Sequence, residues 1–338
     1  MTDRVDIPRL DAIDSIRRRP AMYIGGTDFF GFIHYVVSAF DTMLEHGATW
    51  IEIEVGEHLS IASDARLPIR LNDEGKLEPF ESFGPVNDRH IPDATIIAAL
   101  SEDFRAVVSD GTTETELVCE HGIRIRMEQR PANVAEHRVQ LTFTPDIGIF
   151  AVTDVSSEIL RSYCRRTSCL WPRVWFRIRQ GGQAVEYRSQ NGIPDFFDSI
   201  ALPYQILHKP IRLRELSDSL TVEAVFAFHS WSENRIWSFA NRGRVPDGGT
   251  HEAGMMSAIA RLQNNLRGHN PVGVLAVLAI EYPQVTYEGC IKSRIGNPEL
   301  IGRVEALVRT GIEKWATQNV EEIEYLKTIE RFTFGEAW

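Results

Sequence analysis

Three side chains able to do polar chemistry recur at helical spacing in this sequence: His34, Ser38 and Thr42. Residues four apart lie one above another on a helix, so these three share a face if their segment is helical. One reading is an acid–base constellation, with His34 moving a proton and Ser38 as its hydroxyl partner. The other is packing, because Ser–His pairs at this spacing arise readily by chance. Asp64 and Arg66 form a second polar group, whose simplest role is a structural salt bridge. His90, His121, His251 and His269 are scattered without metal-like spacing. Cys119, Cys164, Cys169 and Cys290 make neither CxxC pairs nor a zinc pattern, which predicts free thiols in a reducing compartment and no metal site.

The elements that must position these groups follow from periodicity. Phe32, Tyr35, Val36, Ala39, Phe40, Met43 and Leu44 recur at helical spacing and predict a helix over 28–45. Ile51, Ile53 and Val55 alternate with Glu52 and Glu54 as a half-buried strand, and Leu59 and Ile61 continue as a second. Residues 71–92 lack periodicity and read as a loop or lid. Alternating runs at 104–108, 114–118, 123–129 and 139–143 predict antiparallel strands. A helix over 155–169, ended by Trp171-Pro172, and a hairpin around Gly181-Gly182 close the first half. Beyond a boundary placed near 205, strands at 221–228 and 236–240, a helix over 251–267, a strand at 274–281 and a helix over 298–318 predict a β-α-β unit. An amphipathic helix over 320–331 follows.

A chain of 338 residues is long enough for two domains, and 43% apolar with 25% charged residues is ordinary for a globular protein. No apolar run is long enough to span a membrane, and the polar, acidic N-terminus is unlike a signal peptide, so a cytoplasmic location is expected. A net charge of −11 argues against nucleic acid as a partner. Arg17–Arg19, Arg165-Arg166, Arg242 and Arg244 read as solvated surface charge, and Trp171, Trp175, Trp231 and Trp237 as core rather than stacking platforms.

Longer motifs add a family. The run Arg18-Arg-Pro-Ala-Met-Tyr-Ile-Gly25, the stretch Phe239-Ala-Asn-Arg-Gly-Arg-Val-Pro-Asp-Gly-Gly-Thr-His-Glu-Ala-Gly254 and the loop Tyr287-Glu-Gly-Cys-Ile-Lys-Ser-Arg-Ile-Gly-Asn297 occur in the order of, and resemble, signatures of the DNA gyrase B family. The resemblance implies an α+β chain: a Bergerat-type (GHKL) α/β sandwich over 1–205 with an N-terminal dimerisation arm, then a transducer-like domain of ribosomal-S5-like β-α-β type over 206–338. It also implies a homodimer through that arm, and a toprim domain for which 338 residues leave no room.

The same resemblance exposes a set of losses. The family's glutamate base corresponds to Ser38, its magnesium-binding asparagine to Thr42, its adenine-reading aspartate to Ser63 (or Asp64 if the register slips by one), and its threonine beside the adenine to Val139. A serine cannot act as the carboxylate base near neutral pH, and a threonine is a poor replacement for the amide oxygen. The glycine-rich phosphate lid has no counterpart, since Gly75 and Gly84 are the only glycines between Ile69 and Ala94. Lys292 matches the transducer lysine that reaches the terminal phosphate, and Cys290 replaces a neighbouring glutamine. His251 falls in a signature where it starts a helix.

The expectation is therefore a homodimeric gyrase B-like frame that binds neither ATP nor magnesium for hydrolysis and needs no other cofactor. Its former nucleotide pocket, with His34, Ser38 and Lys292 as catalytic candidates and Thr42, Ser63, Asp64, Arg66, Val139 and Cys290 as ligand-binding ones, would bind or transform a small molecule, for instance in specialised metabolism. The alternatives are a regulator or decoy that engages gyrase subunits and a protein that sequesters a gyrase-directed drug.

Overall fold

The computed structural model describes residues 11–81, 93–153, 156–266, 273–288 and 293–328. They pack as two units, one reaching to Ser168 and resuming at Arg173–Arg188, the other formed by Cys169–Pro172 and the chain from Ser189 on.

The first unit begins with α1 (Ala12–Arg18), α2 (Ala21–Ile24) and α3 (Phe29–Glu45). Strands β1 (Trp50–Val55) and β2 (Leu59–Ser63) follow, then the short hairpin of β3 (Arg70–Leu71) and β4 (Leu77–Glu78) inside the expected loop. After α4 (Asp93–Ala99) come β5 (Ser101–Asp110), β6 (Thr113–Glu120), β7 (Ile123–Pro131), β8 (His137–Pro145), α5 (Ser157–Leu170), β9 (Trp175–Gln180) and β10 (Gln183–Tyr187). Eight of these strands form one sheet in the order β10-β9-β1-β2-β8-β5-β6-β7, antiparallel except for β1 beside β9.

Register turns the alternating sequences into rows. Phe176, Ile51, Ser63, Val139 and Val108 lie side by side across five strands, and the next row is Ile178, Ile53, Ile61, Leu141 and Ala106. All of these are buried. The opposite face carries Glu52, Ser60, Gln140, Arg105 and Arg177, with Arg177 and Arg179 both on Glu52 at 3.1 Å. One packed face and one wet face is what an antiparallel sheet with helices on one side requires.

The second unit contains α6 (Ile193–Ala201), β11 (Ile211–Ser217), β12 (Leu220–His229), β13 (Arg235–Ala240), β14 (Gly243–Arg244), α7 (Thr250–Asn265), β15 (Gly273–Glu281), β16 (Tyr287–Glu288), β17 (Arg294–Ile295), α8 (Glu299–Gln318) and α9 (Val320–Thr328). Its five-stranded sheet runs β11-β12-β15-β13-β14, with β13 parallel to β15 across α7, the expected β-α-β crossover. Both faces are covered. Val222, Ala224, Phe226, Ala276, Leu278 and Ile280 pack with α7 and α8, while Val225, Ala227, Leu275 and Val277 pack with Phe196 and Phe197 of α6. That double burial makes β12 and β15 nearly continuous apolar runs. It also corrects the boundary: the units divide between Arg188 and Ser189, because α6 belongs to the second sheet. Gly254 lets α7 approach α8, since a Cβ there would lie 2.5 Å from the Ile301 carbonyl.

Arg17 is not the solvated charge expected. Its guanidinium donates to Ala99 O (2.7 Å) and to Asp146 Oδ2 (2.6 Å), and His121 Nδ1 donates to the same carboxylate oxygen at 2.8 Å. Burial works to raise the Asp146 pKa, but the hydrogen bonds from Arg17, His121 and the Gly148 N–H outweigh it and hold it below the ordinary carboxylate value. A depressed folded pKa means stability that is complete above about pH 3.9 and lost as pH falls through the folded value. Asp146→Ala strands the Arg17 guanidinium and removes the acceptor of His121, and is expected to cost about 2–4 kcal/mol at neutral pH. Urea denaturation should show that deficit shrinking as the pH is lowered to about 3.

Candidate functional site

The site is built on α3. Asp28 caps its start by accepting from Gly31 N at 3.1 Å, and the seven apolar residues picked out by spacing are all buried, Tyr35 and Met43 with zero exposure, while Ile33 and Val37 are half-buried. Tyr35 OH lies 2.7 Å from Ser101 Oγ, whose own proton goes to Ile97 O, so the tyrosine is the donor and pins α3 to β5. The end of α3 is a glycine cap. Gly47 sits at φ 79°, its N–H reaches Leu44 O (3.1 Å) and the Ala48 N–H reaches Met43 O (3.1 Å).

Along this helix the three spaced polar residues do not act together. His34 is exposed, and desolvation against the protein lowers its pKa. Ser38 and Thr42 are buried, and each hydroxyl donates back to its own helix, Ser38 Oγ to Tyr35 O (2.7 Å) and Thr42 Oγ1 to Ser38 O (2.9 Å). The geometry contains no His34–Ser38 hydrogen bond. Ser63 and Val139 are direct cross-strand partners, both with zero exposure. Above them lies a residue the sequence did not single out: Ser63 Oγ donates to the Met43 thioether at 3.0 Å and accepts from Ala65 N at 3.2 Å. Ser38, Thr42, Ser63 and Val139 are thus core residues. Among the described residues no group of three or more His, Cys, Asp or Glu is placed to hold a metal.

Asp64 and Arg66 lie elsewhere, in a cleft of about 600 Å³ whose lining includes His46, Trp50, Glu136 and His137. The expected Asp64–Arg66 salt bridge is absent. Asp64 Oδ1 accepts from Thr49 N (2.7 Å) and Trp50 N (3.2 Å), and Oδ2 accepts from Thr49 Oγ1 (2.5 Å), which turns the carboxylate onto the start of β1. Arg66 is exposed, its guanidinium is without a partner among the described residues, and its backbone N–H donates to His46 O at 2.9 Å. His46 could have been suspected from its spacing after Thr42. Glu136, in the turn before β8, and His137, the first residue of β8, carry no such signal.

Lys292, Cys290, His90 and His269 lie outside the described residues. Cys119, Cys164 and Cys169 are buried and are not in disulfides. His251 sits in the first turn of α7, fully buried with neither ring nitrogen partnered, and burial pushes its pKa down to about 4. None of the four tryptophans singled out is fully buried: Trp231 is half exposed, Arg177 lies over Trp175 at 4.9 Å, and Arg242 and Arg244 lie over Trp171 and Trp237 at 3.9 and 3.8 Å. Arg166, too, is desolvated and stacks on Tyr163.

The DNA gyrase B family model matches residues 192–330. The gyrase B protein of Archaeoglobus fulgidus is 24% identical over 95% of this chain, and the corresponding DNA topoisomerase 4 protein of Mycoplasma pneumoniae is 21% identical over 93% of it. The 43K ATPase domain of Thermus thermophilus gyrase B, solved with an aminocoumarin, superposes with a TM-score of 0.77 at 23% identity, covering 94% of this chain and 93% of that one. Residues 192–330 thus carry the DNA gyrase B signature, and the chain as a whole is similar to gyrase B. Its fold is the GHKL-type α+β arrangement followed by the transducer, as the sequence motifs implied. The chain spans 57% of the Archaeoglobus protein and 56% of the Mycoplasma one, and no described helix is long and apolar enough to cross a membrane.

In this gyrase B-like unit, Met43 is the side chain over Ser63. Met43→Ala removes it and leaves the Ser63 hydroxyl buried without its acceptor. The expected loss is about 2–5 kcal/mol, measured by urea denaturation, while Met43→Leu should cost less than about 1.5 kcal/mol.

Proposed function

We propose that this chain is a gyrase B-like protein that does not hydrolyse ATP and acts by binding a small molecule. The Met43–Ser63 contact carries the reading. The resemblance assigns adenine recognition to the position of Ser63, and there a thioether takes the only hydroxyl proton. Support comes from the two positions assigned to base and metal ligand. Ser38 and Thr42 have no carboxylate or amide to offer, and their hydroxyl protons go to helix carbonyls. Orienting and deprotonating a water needs a base within hydrogen-bond reach, and magnesium needs free oxygen ligands. The residues present therefore do not fit Mg–ATP, and no catalytic step is assigned to them. We place the chain as a homodimer through its N-terminal segment on the strength of the family resemblance.

Phosphate release from Mg–ATP by the purified chain is expected to stay at the no-protein level. Turnover that Ser38→Ala abolishes would overturn the reading. Sedimentation of the full chain should show twice the chain mass, and a monomer at micromolar concentration would remove the dimer from the proposal.

A further inference from the structure

We propose that the cleft beside the end of α3 binds a small planar aromatic acid, with Arg66 taking the carboxylate and Trp50 the ring. The inference rests on the reading that the chain works by binding, and it names the site and the ligand class. A volume of about 600 Å³ is within the usual range for small-molecule sites.

Four observations converge on that class. The nearest carboxylate in sequence cannot neutralise Arg66, because Asp64 is committed through both oxygens to Thr49 and the Trp50 N–H. An unpaired guanidinium in a cleft is a fork matched to a carboxylate. Trp50 is half-buried and backed by Trp175, the rings 6.0 Å apart and 25° from parallel, so its position is set before any ligand arrives. His46 Nδ1 lies 2.8 Å from Thr42 O, and a carbonyl only accepts, so Nδ1 carries a proton and Nε2 is left without a protein partner among the described residues. Glu136, also in the lining, has no partner among the described residues and works against a second acid on the ligand. That combination favours a ring with one acid and a hydrogen-bond donor over a diacid or a free phosphate.

The probe is 4-hydroxybenzoate, titrated into the full chain while the Trp50 indole resonance and the heat of binding are followed. Saturable millimolar or tighter binding is expected, with cyclohexanecarboxylate and terephthalate weaker. Arg66→Ala, at an exposed position, should weaken 4-hydroxybenzoate by about tenfold or more, with Arg66→Lys intermediate. Trp50→Leu should remove the preference for the aromatic ring over cyclohexanecarboxylate. No saturable binding, or equal affinity in the parent chain and Arg66→Ala, overturns the proposal. Absent binding together with absent ATP turnover sinks the cleft alone, whereas ATP turnover sinks the functional reading whatever the cleft does.

Discussion

Ser63 is the one polar side chain in the buried row Phe176–Ile51–Ser63–Val139–Val108, and what satisfies it decides how the first unit is put together. A buried hydroxyl without a partner costs about 1–3 kcal/mol. Here the partner is the Met43 sulfur, so the end of α3 must sit close over the row. The glycine cap at Gly47 then turns the chain directly into β1, and the backbone pair from Arg66 N to His46 O ties the turn to the segment after β2. One seating of one helix end therefore does two things. It fills the space over Ser63, and it leaves His46, Trp50 and Arg66 around the neighbouring cleft.

Much of this was legible in the sequence. The apolar spacing of α3 predicted its length to within a residue, and the alternation in β1 and β2 placed Ile51, Ile53, Leu59 and Ile61 in the core, although Val55 is only half-buried. Ser63 and Val139, which the family resemblance assigned separately to adenine contacts, are cross-strand neighbours, a pairing that no motif stated. The β13-α7-β15 crossover was legible for the same reason, since a helical period between two apolar runs has few other solutions.

What stayed hidden depended on contacts between distant residues. Met43 was one of seven apolar residues on a helix face, and nothing in spacing says which of them reaches a serine 20 positions away. Arg17 looked like part of an exposed basic run until the fold brought Ala99, His121 and Asp146 to it. Asp64 and Arg66 looked like a pair because neighbours in sequence suggest neighbours in space, yet the free N–H groups at the start of β1 compete better for the carboxylate. The boundary was misplaced because α6 shows which sheet it serves only through Phe196 and Phe197.

We propose that Met43, by taking the Ser63 hydroxyl proton, blocks the position that the family resemblance assigns to adenine recognition, so that Mg–ATP does not bind there. Labelling the methionine methyl groups with carbon-13 and assigning Met43 through the Met43→Leu variant tests it at the atom concerned. Titration with Mg–ATP to millimolar concentration should leave the Met43 methyl resonance unmoved. A saturable shift of that resonance would mean that the base displaces the thioether, and would contradict the account.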